Sequence, residues 1–361
     1  MNQTSKCKEN KISAYLKSEK FKPSKLSKYF WALSATIFLV GFIMLCTLGF
    51  NLGLDFTGGN IMEIKAGAQI ENAETKANTE RAIQQVLNEV AQEYGGVLTL
   101  QRAQIVNSGA DASLSFQYQN IAGKSTEEMA EINTKITEAL KVKLASVLAG
   151  DVASMVQASE SKSASASGEL LTNSFLALGI AIIAILIYVA IRFDLIGGLS
   201  AVITLFHDVI LMCALVVIFR IEINAAFIAA IITILGYSVN NTIVVFDRLR
   251  ENTKKDIYAG KSNKEIADIS VRQTLTRTFN TSFTTLLAVI LLAIIGVSAI
   301  REFIIPIIFG LIVGTYAAIF ISAPLWATII TNSRFDKRKI KQKQNKIEKS
   351  RVIEAEAQAI K

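Results

Sequence analysis

Gly236-Tyr237-Ser238-Val239-Asn240-Asn241-Thr242-Ile243-Val244-Val245-Phe246-Asp247-Arg248 is the stretch whose reading settles the rest of the chain. It lies inside an apolar run that opens near Ile223, so two adjacent amides and several hydroxyls stand where hydrocarbon is expected, just before an abrupt charged exit. Polar groups are expensive in an apolar medium, and a spanning segment carries them for a reason. Helical spacing puts Thr233, Tyr237, Asn240, Asn241 and Val244 on one face, a polar stripe on a greasy rod. Such a stripe belongs against protein or water, not lipid.

The composition agrees with a membrane setting. The 361 residues are 51% hydrophobic and 19% charged, more apolar than a soluble chain of this length. The formal net charge is +8, but the basic residues cluster at the two tails and in one loop. That is the pattern of positive-inside topology rather than of a nucleic-acid surface, and no nucleic-acid partner is expected. Cys7, Cys46 and Cys213 have no paired spacing and no His cluster beside them, which supports neither a disulfide framework nor a metal site. No cofactor motif is present.

Residues 1–28 are rich in Lys and read as a basic cytoplasmic tail. The run 29–50 fills the roughly 20 residues of a first span. It exceeds a signal-peptide core and lacks an Ala-x-Ala-like site, so it reads as retained. Residues 51–168 then form an extracytoplasmic segment. Alternation in Asn60 to Ile64, Val97 to Val106 and Ala112 to Gln119 predicts strands, and Thr79 to Tyr94 and Thr126 to Leu148 carry helical spacing. Ser125-Thr126-Glu127-Glu128 has the look of a capping box. With a last short strand at Asp151 to Gln157, the order is strand-helix-strand-strand-helix-strand, the ferredoxin-like split βαβ of an α+β domain. Ala158 to Gly168 reads as a low-complexity linker back to the membrane.

Five more apolar runs follow, at 170–191, 197–219, 223–246, 279–297 and 303–330, giving a polytopic α-helical protein of six transmembrane helices with both termini cytoplasmic. The 247–278 loop and the 331–361 tail are basic, whereas the turns around Glu222 and Glu302 are short and balanced. Within the loop, Ser262 to Val271 is amphipathic and expected on the inner membrane surface.

Asp208 is the one acid well inside a span, about eleven residues into its run, which at about 1.5 Å per residue puts it near mid-bilayer. It reads either as a proton relay or as a structural acid bonded to neighbouring helices. His207, the only histidine, reads as a packing or interfacial residue rather than a ligand, and with Asn240 and Asn241 it stands beside Asp208 among the ion-relay candidates. Arg277, at the mouth of the fifth span, either serves the relay or snorkels to the surface. Asn280 and nearby hydroxyls are placed to meet the Asn240/Asn241 stripe. Asp247 and Arg248 read as a salt-bridged helix end. No Gly-x-Ser-x-Gly, His-Glu-x-x-His or Walker sequence is present, so the chain does not read as an enzyme and any work it does draws on an ion gradient or a partner.

Gly53-Leu54-Asp55-Phe56-Thr57-Gly58-Gly59, directly after the first span, resembles the G-[IL]-D-F-x-G-G signature of the SecD/SecF protein-export family. Gly236 to Asn252, with Gly236, Asp247 and Arg248 in place, is similar to the fourth-span motif of the SecF members. The resemblance covers nearly the whole chain. It implies a non-enzymatic accessory subunit in the bacterial inner membrane, built on the resistance-nodulation-division plan. Such a subunit acts with SecD, the SecYEG channel and a YajC-like small subunit to draw secreted polypeptides outward at the expense of the proton motive force. In that family the residue matching Asn241 is usually Asp, credited with coupling alongside an Arg matching Arg277. Asn241 cannot titrate, which leaves three readings: coupling through the SecD half and Asp208 alone, use of another ion, or a copy with altered energetics. Gly58 and Gly59 read as a tight bend between membrane and first strand, with Asp55 capping or anchoring the turn. The alternative is half of a small-molecule efflux transporter on the same plan, which usually carries about twice as many spans.

Overall fold

The structure, a computed structural model, describes residues 21–332 apart from Asn107, Ala122, Ser163, Ala259 and Val297. Most of the two basic tails, and Cys7 with them, lie outside the described residues. In chain order the elements are α1 (Pro23–Leu48), β1 (Gly59–Ile64), α2 (Ala73–Glu93), β2 (Leu100–Val106), β3 (Ser113–Tyr118), α3 (Thr126–Leu144), β4 (Val156–Lys162), α4 (Ala164–Arg192), α5 (Leu195–Ile218), α6 (Ala225–Lys254), α7 (Asn263–Ile295), α8 (Ser298–Ala317), a π-helical segment Ala318–Ser322 and α9 (Ala323–Asn332). Single helical turns occupy Leu54–Thr57 and Val152–Met155. Six helices are long and apolar enough to cross a membrane: α1, α4, α5, α6, α7 and α8 continued through α9.

Between α1 and α4 the chain makes a sheet in the order β2-β3-β1-β4 with every neighbouring pair antiparallel. That is the strand order of a split βαβ unit. Alternation along β1 buries Asn60, Met62 and Ile64 and leaves Ile61 and Glu63 partly exposed. Met62, Ile64, Leu114 and Phe116 meet Ile83, Val86 and Leu87 of α2 and Ile132, Ile136 and Leu140 of α3 in one core. Each such side chain contributes about 1.5–3 kcal/mol by leaving water. The Ser125 side chain accepts from the Glu128 amide while Glu128 accepts from the Ser125 amide, so α3 opens in a complete capping box. A polar seam crosses the core edge. Tyr118 Oη donates to Asn133 Oδ1 (2.8 Å), Asn133 Nδ2 to Asn60 Oδ1 (2.7 Å), and Asn60 Nδ2 to Asn120 Oδ1 (2.9 Å). Burial raises the pKa of the Tyr118 phenol.

Several boundaries differ from the sequence pattern. Helix α2 begins six residues before Thr79 because Asn72 accepts from the amides of Glu74 and Thr75 and caps it there. The last strand lies not at Asp151 to Gln157 but at Val156–Lys162, after a helical turn, and pairs with β1 from Ile64 back to Gly59. The expected linker is therefore strand and then helix. Ser and Ala dominate it, and both are tolerated in either state, so composition alone concealed the backbone pairing. Charge likewise marks where a helix leaves the apolar layer, not where it ends. Helix α6 runs on to Lys254, and the amphipathic Ser262 to Val271 stretch is no separate surface helix. It is the first turns of α7, opened by a Ser262–Glu265 capping box, with Ile266, Ala267 and Val271 packed on Phe21 and Trp326.

In the bundle, α6 packs against α4, α5, α7 and α8. Half or more of the apolar stretches of α5, α6 and the last span is buried, against about a tenth of α1, α4 and α7. Close approach is set by small residues, as expected where packing rather than water exclusion joins helices. A Cβ on Gly41 of α1 would stand 2.8 Å from the Ala214 Cβ of α5, and one on Gly310 of α8 would stand 2.5 Å from Ile234 of α6.

Candidate functional site

Asp208 sits in the middle of α5 and is wholly buried. Its Oδ2 accepts from Ser238 Oγ of α6, and a Cβ added at Gly314 of α8 would lie 3.6 Å from that oxygen. Its Oδ1 lies 2.9 Å from His207 Nδ1, whose ring is turned so that Nε2 meets Ser34 Oγ of α1 at 2.9 Å. Ser34 Oγ is in turn 3.0 Å from Tyr316 Oη of α8. Four spanning helices thus meet through one string of hydrogen bonds. The string is clamped by rings: Trp31 and Tyr316 stand edge-on to His207, and Phe30 stacks on Tyr316 at 5.5 Å and on Phe320 at 4.0 Å. The π-helical segment directly follows α8, one turn before Pro324. Proline has no N–H to bond the carbonyl four residues back, and the widened turn absorbs that loss.

The other polar residues of the spans are distributed differently. Asn241 is buried, with Nδ2 3.4 Å from Ser282 Oγ of α7, while Asn240, Gly236 and Thr233 are exposed on the bundle surface. The stripe is therefore split: Ser282, not Asn280, meets α6, and Asn280 and Arg277 are exposed on α7. Arg277 is not brought to Asp208. At the end of the bundle away from the sheet, Asp247 pairs with Arg192 at the end of α4, and Arg248 donates to Gln273 (2.6 Å) and pairs with Glu251. Asp268 accepts from the backbone and side chain of Ser24, both at 2.8 Å, and fixes the start of α1.

At the sheet end, Asn51 to Gly59 lies along the turn between α5 and α6. Gly53 N donates to Ile223 O (2.9 Å) and Ile223 N to Asn51 O (2.8 Å), a short parallel bridge. A Cβ on Gly53 would stand 2.3 Å from the Glu222 carboxylate and displace the end of that side chain. Asp55 Oδ2 accepts from the Ala225 amide at 3.1 Å, setting a carboxylate on the first turn of α6, where the helix dipole favours it. Asp55 thus anchors a distant helix. Gly58 has φ 71° and Gly59 φ 151°, both left-handed, and a Cβ on Gly59 would stand 2.5 Å from the Tyr118 carbonyl oxygen. The pair turns the chain from membrane to sheet with backbone against backbone.

One arginine joins the sheet to the same turn. Arg102 of β2 bonds Glu222 (2.9 Å) and also Glu302 in the first turns of α8, and Asn224 donates to Glu302 at 2.9 Å. Burial foremost, then the Glu302 charge, raises the Glu222 carboxyl above the usual range, against the pull of Arg102. Nothing in the residue pattern marks Arg102, Glu222 and Glu302 as a group, or Ser238 and Tyr316 as partners of Asp208. Ser34 had a signal: Ser27, Ser34 and Gly41, seven residues apart, are small and all buried on one face of α1. Among the described residues no three His, Cys, Asp or Glu side chains stand close enough to hold a metal ion.

A polytopic bundle with a split βαβ unit after its first span, and a Gly-Gly segment docked on the α5–α6 turn, has known relatives. The family profile described as the protein export membrane protein SecD/SecF, C-terminal, matches residues 132–332, and that described as the SecD/SecF GG motif matches residues 43–70. The protein translocase subunit SecF of Sebaldella termitidis is 35% identical over 327 residues, 90% of this chain and 96% of that one. That of Rickettsia felis is 33% identical over 314 residues, 87% of this chain and 92% of its own. Among solved structures, SecDF of Thermus thermophilus, titled a translocon-associated membrane protein, superposes with a TM-score of 0.66 and 29% identity over 87% of this chain. SecDF in a super-membrane-facing form gives 0.52 and 26% over 90%. This chain spans about two fifths of those solved chains, 39% and 40%, as a SecF half would. Profile matches at both motifs and near-complete coverage of the SecF relatives lead to one conclusion: the chain belongs to the SecD/SecF family of protein-export membrane proteins.

Proposed function

We propose that this chain is the SecF-type accessory subunit of the Sec export machinery. It joins SecD beside the SecYEG channel with a YajC-like subunit and uses an ion gradient to promote late translocation and release of secreted polypeptides. It sits in the inner membrane with both termini cytoplasmic and the sheet domain outside, and it performs no covalent chemistry. The observation that carries the ion-driven part is Asp208: a wholly buried carboxylate at mid-span, held by His207 and Ser238 across two helices. A carboxylate so placed is stable only with its proton or its hydrogen bonds, so gain and loss of an ion there changes how α5 and α6 are held together. One proton crossing 100 mV releases about 2.3 kcal/mol, enough to bias a two-state element more than tenfold.

The test is release of a secreted precursor from spheroplasts that lack the native protein and carry wild type, Asp208→Asn or Asn241→Asp, each with a proton or a sodium ionophore. Loss of release in Asp208→Asn at normal protein level, copied by one ionophore in wild type, is the expected result and names the ion. Unchanged release in Asp208→Asn makes these spans a scaffold.

A further inference from the structure

Asp208 has no exposed surface, so an ion reaches it only through a neighbour. Among the described residues its hydrogen bonds lead two ways. Ser238 is itself buried and bonds back to Asp208 alone, a closed end. His207 leads onward to Ser34 and to Tyr316, which is half-buried at the seam of α1 and α8. We propose that His207, Ser34 and Tyr316 form the branch through which Asp208 exchanges its proton. This rests on the reading of Asp208 as the ion-carrying group and adds the identity of the ion and its path.

The donors and acceptors permit it. With His207 neutral, Nδ1–H donates to the Asp208 carboxylate, Nε2 accepts from the Ser34 hydroxyl, and Ser34 Oγ accepts from the Tyr316 hydroxyl. A proton arriving at Tyr316 Oη releases that group's own proton to Ser34 Oγ, which passes its own to His207 Nε2. The imidazolium then gives its Nδ1 proton to Asp208 Oδ1. Each hydroxyl and the imidazole end with the proton count they began with, and Asp208 has gained one. His207 is left with its proton on Nε2, donating to Ser34, while Nδ1 accepts from the Asp208 carboxyl. Every hydrogen bond is satisfied before and after, with only its sense reversed. Imidazole is the side chain suited to this, since its two nitrogens can exchange roles near neutral pH. The Phe30 and Trp31 rings hold Tyr316 and His207 in register, which makes α1 part of the ion path rather than a membrane anchor alone.

The experiment uses the full chain with its SecD partner in spheroplasts, under a proton gradient, and compares Ser34→Ala, Ser34→Thr, Tyr316→Phe, the Ser34→Ala/Tyr316→Phe pair and Asp208→Asn. Loss of one proton-transfer group is expected to slow gradient-driven release about tenfold or more. Ser34→Thr, which keeps the hydroxyl, retains it. Because both groups act on one path, the double variant is expected to be no slower than the slower single. Wild-type release in Ser34→Ala and Tyr316→Phe, with release abolished in Asp208→Asn, overturns the branch and leaves the Asp208 reading standing. Losses that add in the double variant together with lowered thermal stability overturn it in favour of a packing role. Unchanged release in Asp208→Asn removes both readings.

Discussion

Arg102 is the contact at which the seating of the sheet domain on the bundle can be tested most sharply. Its guanidinium lies between Glu222 and Glu302, bonded to both through one nitrogen. Two carboxylate oxygens on one nitrogen stand about 5 Å apart, where unit charges at an effective dielectric constant of about 20 repel by about 3 kcal/mol. Lifting β2 away withdraws the cation and restores that repulsion. The side chains retain 34%, 13% and 17% exposure for Arg102, Glu222 and Glu302, so water screens part of it and leaves about 2 kcal/mol holding the domain down. Arg102→Ala abolishes that difference, a shift of about 30-fold between seated and lifted arrangements. Arg102→Lys keeps the charge without the fork and falls between.

The assay is the distance distribution between spin labels at Val142, exposed on α3, and Phe50, exposed beyond α1, in a background with Cys7, Cys46 and Cys213 replaced by Ser. Wild type gives a narrow distribution and Arg102→Ala a broad or displaced one. The pH dependence has a definite sign. Glu222 has its pKa raised in the folded chain, so that state binds the proton more tightly than the solvated carboxylate of the unfolded chain does. The stabilisation is complete below the ordinary carboxylate range and is lost as pH rises through the raised value. Acidification from neutral pH therefore raises the thermal unfolding midpoint of the wild-type chain. In Arg102→Ala, without the cation that pulls Glu222 down, the same rise begins at higher pH. Identical distributions in the two proteins at every pH refute the reasoning.

Gly59→Ala places a Cβ 2.5 Å from the Tyr118 carbonyl at a left-handed φ and is expected to cost about 2 kcal/mol or more, whereas Gly95→Ala, with φ 67° and open space, costs about 1 kcal/mol. Thermal unfolding of the detergent-solubilised chain separates them, and equal midpoints contradict the close-approach argument. Tyr118→Phe removes the donor to Asn133 Oδ1 and is expected to destabilise the sheet domain by about 1–2 kcal/mol, read from the same midpoints. Asp55→Ala removes the acceptor of the Ala225 amide, while Asn224 still caps the Phe227 amide, and is expected to weaken the first turn of α6 by about 1 kcal/mol. Amide exchange should quicken at Ala225 to Ile228 and stay unchanged in β2; uniform quickening indicates general unfolding instead.

Much of this fold is legible in the residues because hydropathy and period report burial directly. Met62, Leu114 and Phe116 alternate inward as their strands require, and Ser125 with Glu128 announces α3. What period does not encode is pairing between distant segments. Val156 to Lys162 is a strand because β1 offers a free edge, which nothing in Val-Gln-Ala-Ser-Glu-Ser-Lys declares. The site divides in the same way. Asp208 stands out because a charge in hydrocarbon is conspicuous, and Ser34 because small residues recur every seven positions on α1. Arg102 does not, since an arginine in a half-exposed strand is ordinary, and its glutamates lie 120 and 200 residues away.

The two clusters are mechanically joined, and this gives a neutral Asn241 a physical sense. Asn241 lies three residues beyond Ser238, about one helical turn from the group that bonds Asp208. A second carboxylate there would repel Asp208 and divide one proton between them. With an amide, the proposed response rests on Asp208 alone, whose hydrogen bond to Ser238 joins α5 to α6. About ten residues further along α5, roughly 15 Å, the same two helices meet in the turn that Gly53, Asp55 and Arg102 grip. On the proposed reading, protonating Asp208 removes the charge that held Ser238, and the relaxation of α5 against α6 reaches Glu222 and the Ala225 amide through stiff helix. The sheet domain is fastened at just those atoms, so a change of one hydrogen bond at mid-membrane is delivered where the outer domain is held.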